Sequence, residues 1–160
     1  MIVLNYPFSV NVIRKLKLGD KLRYSGKIIV LSPEAIERML MYSKAEGSFP
    51  LTLSGQLVCF GQMEKGEVKM SSIDEMVPLI EKCFLNGAIS IVGKYKGLSS
   101  YLFKRFGRIL ITPLEKLRGN SKVIMYTDLK EKAVHEIEVE NIVMKVSIDS
   151  RGNTYTVEVG

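Results

Sequence analysis

Lys94 is the residue best placed for chemistry. It closes the run Ala88-Ile89-Ser90-Ile91-Val92-Gly93-Lys94, and a cation at the carboxyl end of a buried strand can face an anionic ligand. A lysine at a strand end serves solubility equally well, so the run alone leaves both roles open. The single histidine, His135, has no nucleophile elbow or orienting acid beside it and reads as a packing or surface residue. Glu136, Glu138 and Glu140 alternate with Ile137 and Val139, the pattern of a strand's wet face, and carry no assigned catalysis. Cys59 and Cys83 lack the paired spacing of a zinc site and read as buried thiols. No glycine-rich phosphate loop is present.

Residues 55–94 must position Lys94, and their pattern is strand, loop, helix, strand. Gly55-Gln56-Leu57-Val58-Cys59-Phe60-Gly61 is a short apolar run closed by glycines, as in a strand buried on both faces. Ile73, Met76, Val77, Ile80 and Phe84 then recur at helical spacing. In such a βαβ unit ligands sit beyond the carboxyl ends of the strands, so the polar loop 62–72 and Lys94 are expected on one edge. Ser72 and Glu75 can form a capping box, although Pro78 requires either a kink or a start near Val77.

The flanking elements extend this unit. A long strand is expected over 21–31, with a bulge at Ser25-Gly26. Ser32-Pro33-Glu34 opens a helix that Gly47 ends. Residues 98–106 read as a second helix-and-strand step leading to 108–112, followed by a loop over 113–120 and a strand over 122–127. A helical turn is expected at 129–135 and a hairpin of 143–148 with 154–159. The sum is one compact three-layer α/β domain over 1–160, with a mixed sheet and a central βαβαβ segment.

A chain of 160 residues with 46% hydrophobic content can bury a real core. It has no apolar run near the roughly 18 residues a membrane helix needs and no signal-like start, which predicts a cytoplasmic protein. The net charge of +6 is spread without a recognition-helix or aromatic-basic pattern, which argues against nucleic acid.

The order of several short motifs resembles one family. These are Leu16-Lys17-Leu18-Gly19-Asp20-Lys21, Ser25-Gly26-Lys27-Ile28, Phe49-Pro50-Leu51 with Gly55-Gln56, Met76 with Gly87, and Val92-Gly93-Lys94. The tail continues the pattern with Asp128-Leu129, the alternating glutamates from Glu136 to Glu140, and Ile148-Asp149 with Gly152-Asn153. Together they resemble the β subunit, or C-terminal domain, of class I fumarases and tartrate dehydratases. The resemblance implies a swivelling β/β/α domain and reversible addition of water to a dicarboxylate double bond. It also implies an α subunit that holds a four-iron four-sulfur cluster, this chain binding none itself. Lys94, Ser72 and Arg38 would contact the substrate, and Ser71 would take part in proton transfer.

The departures are as specific as the match. Where the family has an Arg-Asp-x-Ala-His motif, this chain reads Ser32-Pro33-Glu34-Ala35-Ile36, leaving only Ala35 and the later Arg38. The family's Gly-Pro-Thr-Thr-Ser-x-Arg-Met becomes Lys69-Met70-Ser71-Ser72-Ile73-Asp74-Glu75-Met76, so Ser71 keeps a hydroxyl while Glu75 replaces an arginine. Each bidentate arginine contact contributes roughly 1.5 to 3 kcal/mol, and two are lost. Three readings follow: a hydro-lyase subunit active only with its partner, a paralogue acting as a structural or regulatory binding module, and a basic domain on an anionic polymer. Self-association into a homodimer stays open.

Overall fold

The computed structural model describes residues 1–72, 77–94 and 99–155. The strands are β1 (Ile2–Asn5), β2 (Lys21–Leu31), β3 (Leu57–Glu64), β4 (Glu67–Met70), β5 (Ser90–Val92), β6 (Ile109–Pro113), β7 (Asn120–Met125) and β8 (Val134–Ile148). Helices α1 (Val10–Lys15), α2 (Pro33–Glu46), α3 (Val77–Leu85) and α4 (Tyr101–Phe106) alternate with them, and a 3₁₀ segment spans Thr127–Lys132. The protein is mixed α/β, with eight strands in one sheet system among the described residues. No helix among those residues is long and apolar enough to cross a membrane.

Strands β2, β3, β5 and β6 run parallel, and α2, α3 and α4 lie between them in sequence. The expected βαβαβ segment is therefore present and is lengthened by β2 at its front. These strands read as unbroken apolar runs because both faces are covered. Ile29, Leu31, Val58, Phe60, Ile91 and Leu110 face α2, α3 and α4 through Met39, Phe84 and Phe103. Their neighbours Ile28, Val30, Leu57, Cys59, Val92 and Ile111 belong to a second core, shared with α1 and β8.

Strand β8 completes the second core. It pairs antiparallel with β2 along most of its length, with β6 at one end and with β7 at the other. Because β8 bonds to both β2 and β6, the ladder β2-β3-β5-β6-β8 closes on itself. Ile137 and Val139 point into the core, and so do Ile142, Met144 and Val146. The inward positions change from odd to even because Glu140 and Asn141 together oppose Ser25, with Asn141 at φ +52°. The expected irregularity at Ser25-Gly26 exists, but the extra residue is on β8. The Asn141 N–H donates to Ser25 Oγ at 2.9 Å.

Ser32 caps α2 by accepting from the Ala35 N–H at 3.0 Å, and Gly47 ends the helix at φ +77°. Helix α3 is described from Val77 and includes Pro78, while residues 73–76 before it lie outside the described residues. Two expectations need correction. Loop 62–72 is largely a hairpin, since β3 runs on to Glu64 and pairs with β4. Residues 129–135 are not one helical turn: the 3₁₀ segment ends at Lys132, and His135 lies in β8, buried, with Nδ1 2.8 Å from the Ala133 carbonyl oxygen. In the tail, the first expected strand is the end of the longer β8, and an antiparallel bridge joins Ile148 to Thr154 about the expected turn; residues 156–159 of the expected second strand lie outside the described residues. The proposed cap partner Glu75 also lies outside them.

Candidate functional site

A cleft of about 640 Å³ lies beyond the carboxyl ends of β3, β5 and β6. Its first wall is the β3–β4 hairpin. Glu64 pairs with Glu67 across the two-residue turn Lys65-Gly66, and both turn residues have positive φ, +50° and +79°. That backbone matches the right-handed twist of the flanking strands, and glycine at the second position meets no steric cost. The other wall is loop 113–117 after β6. The Val68 N–H donates to the Leu117 carbonyl at 3.0 Å and Glu67 bridges to Arg118, which tie the hairpin to this loop. The Leu114 N–H donates to the Val143 carbonyl at 2.9 Å, anchoring the loop on β8.

Charges line the cleft in both signs. Lys69 pairs with Glu64 at 3.8 Å, while Lys116 at 3.9 Å and Arg118 at 3.5 Å share Glu67. Glu115 accepts from the Val143 N–H at 3.3 Å. Lys94 lines the same cleft, exposed, and has no ion-pair partner among the described residues. Lys65 at the hairpin tip is likewise unpaired among them. An anion entering between the walls would thus meet Lys94 without first breaking an ion pair to a described residue.

The residues singled out with Lys94 are placed differently. Ser71 follows Met70, which lines the cleft; the Ser71 N–H donates to the Phe60 carbonyl at 2.8 Å, and its side chain is half-buried outside the lining. Ser72 is exposed one residue further on. Arg38, on α2, is engaged elsewhere. Its two terminal nitrogens lie 2.8 and 2.9 Å from the carboxylate oxygens of Asp128, and its guanidinium stacks 4.9 Å from the centre of the Tyr126 ring. The hydrogen bonds from Arg38 hold the Asp128 carboxyl below its usual range. The fold therefore brings Lys94 and the β4 end together and keeps Arg38 in a separate contact.

Cys59 and Cys83 do not fit an iron-sulfur cluster. They sit in the two different cores, and burial pushes each thiol up to about 12, which disfavours the thiolate that iron needs. Among the described residues, no group of three or more histidine, cysteine or carboxylate side chains is placed to hold a metal ion.

Reading the sequence as strand-loop-helix-strand found Lys94 but missed Lys65, Lys69, Glu67 and Lys116. The dipeptide Lys65-Gly66 between two alternating stretches was the available signal for the hairpin. Comparison of the chain with models of known protein families gives no match, and comparison with curated proteins gives none either.

Proposed function

We propose that this chain is a β-subunit-like component of an iron-sulfur-dependent hydro-lyase, acting on a hydroxy-dicarboxylate once a cluster-bearing α subunit is bound. The observation that carries the reading is Lys94, an unpaired cation among the described residues, in a cleft at the carboxyl ends of three parallel strands. There it would hold a substrate carboxylate, with Ser71 at the cleft's margin as a candidate for proton transfer. The helices on one face of the parallel strands and β8 against the other agree with the three-layer swivelling domain that the sequence resemblance implies. Any cluster would come from the companion chain, since the two thiols here do not suit it.

The test is to co-purify the chain with its cluster-bearing companion and assay a panel of hydroxy-dicarboxylates. Turnover by the complex that disappears with Lys94→Ala supports the proposal. A complex with an intact cluster and no turnover on the panel overturns it.

A second reading is a paralogue that kept the shape and serves as a binding module. The Arg38–Asp128 contact favours it, since that arginine is already committed. Measurable turnover abolished by Lys94→Ala would exclude it.

A further inference from the structure

The outer face of α2 carries an apolar groove of about 300 Å³. Ile36 and Leu40 form its floor with Leu79 of α3, and Met41 stands beside it 67% exposed. Glu37 and Lys44 flank the groove, and neither has an ion-pair partner among the described residues. Of the other charges on this helix, Glu34 pairs with Lys132 at 3.4 Å, Arg38 pairs with Asp128, and Glu46 lies at the helix end outside the groove. Two opposite charges are thus left on one stripe, about two turns or ~10 Å apart along the axis, with apolar side chains between them.

We propose that a second copy of this chain fills the groove, its α2 running antiparallel to the first across a two-fold axis. An axis passing midway between Leu40 and Met41 sets Glu37 of each copy against Lys44 of the other. The same axis sets Leu40 of each copy against Met41 of the other. One operation therefore satisfies both leftover charges and buries the exposed methionine, whose unbranched chain adapts to an irregular groove. A parallel arrangement would put Glu37 against Glu37 and Lys44 against Lys44, which is repulsive. The charges flanking the groove are self-complementary under this two-fold, and that favours a second copy as its occupant. The proposal stands apart from the hydro-lyase reading, because this face does not include the Lys94 cleft.

The test is sedimentation equilibrium of the full chain from about 1 μM to about 1 mM. A dimer is expected. Glu37→Lys and Lys44→Glu should each raise its dissociation constant about tenfold, by replacing two attractions with two repulsions. The E37K/K44E double variant recreates both pairs with the signs exchanged and should return to within about threefold of the parent. Met41→Glu should give a monomer with an unchanged circular dichroism spectrum. A chain monomeric over the whole range overturns the proposal and leaves the groove to a different protein. A dimer indifferent to Met41→Glu, or a double variant as weak as the single ones, overturns it too.

Discussion

Tyr24 Oη donates to the Lys27 carbonyl at 2.6 Å, spanning the point where β2 meets the bulge of β8. The phenol is buried, and that burial raises its pKa well above the ordinary tyrosine value. Gly26 lies beneath this contact at φ +147°, where a Cβ would come within 2.7 Å of Tyr24 Oη and closer still to Tyr6 Cβ. Gly26→Ala is expected to destabilise the protein by roughly 1 to 3 kcal/mol through overpacking and backbone strain. A urea titration of both proteins, with equal m values, measures it.

Asp149 makes stability depend on acid. Burial pushes its carboxyl up, but hydrogen bonds from the Asn153 side chain and from the N–H groups of Asn153, Arg151 and Leu18 outweigh burial and hold it below the usual range. A group depressed on folding stabilises the native state above its unfolded pKa, near 4, and loses that contribution as pH falls through the folded value. Asp149→Asn should cost roughly 1 to 3 kcal/mol at neutral pH and flatten the fall in stability below about pH 4. Denaturant midpoints of both proteins at several pH values decide the point.

The two thiols are expected to stay silent toward an exposed-thiol reagent at pH 8. Cys59 and Cys83 are both buried and pushed up to about 12, so little thiolate forms while the fold is intact. Labelling should appear only in denaturant, for both cysteines together. Fast modification of either one in native buffer would contradict the packing described.

Arg38→Ala should lower stability only slightly, because the bidentate pair with Asp128 is solvent-exposed and screened by water. A double-mutant cycle with Asp128→Ala isolates the coupling. If Arg38→Ala instead abolished a measured turnover with unchanged stability, a role for Arg38 in substrate binding would have to be restored.

Lys94→Ala should leave the denaturation midpoint within about 0.5 kcal/mol of the parent, as an exposed residue with no ion-pair partner among the described residues. The same variant should weaken binding of a small dicarboxylate, measured by calorimetry on the assembled complex. Unchanged affinity would remove Lys94 from the site.

Much of the parallel half was legible because strands covered on both faces leave continuous apolar runs, as in 57–60 and 88–92. The cap at Ser32 and the stop at Gly47 were equally readable, each being a local backbone requirement. The length of β8 was hidden by its own bulge. The inward residues shift from Val139 to Ile142, so period-two reading breaks there and suggests two separate strands. The short elements β1 and α1 gave no usable period, and their placement comes from tertiary pairing of Ile2–Asn5 along β2. The cleft's ion pairs join residues far apart in the chain, such as Glu67 with Arg118, and no local pattern encodes such a meeting.

The ring closed by β8 has a consequence for synthesis of the protein. Lys21 pairs with Lys145, so β2 leaves the ribosome long before the strand that must lie beside it exists. Until β8 arrives, the inner faces of β2, β3, β5 and β6 have no lid, and an apolar wall faces the cell's chaperones and other nascent chains. The four parallel strands therefore gain their cover only when β8 pairs along β2 and β6, a contact of high sequence separation that protects them all at once.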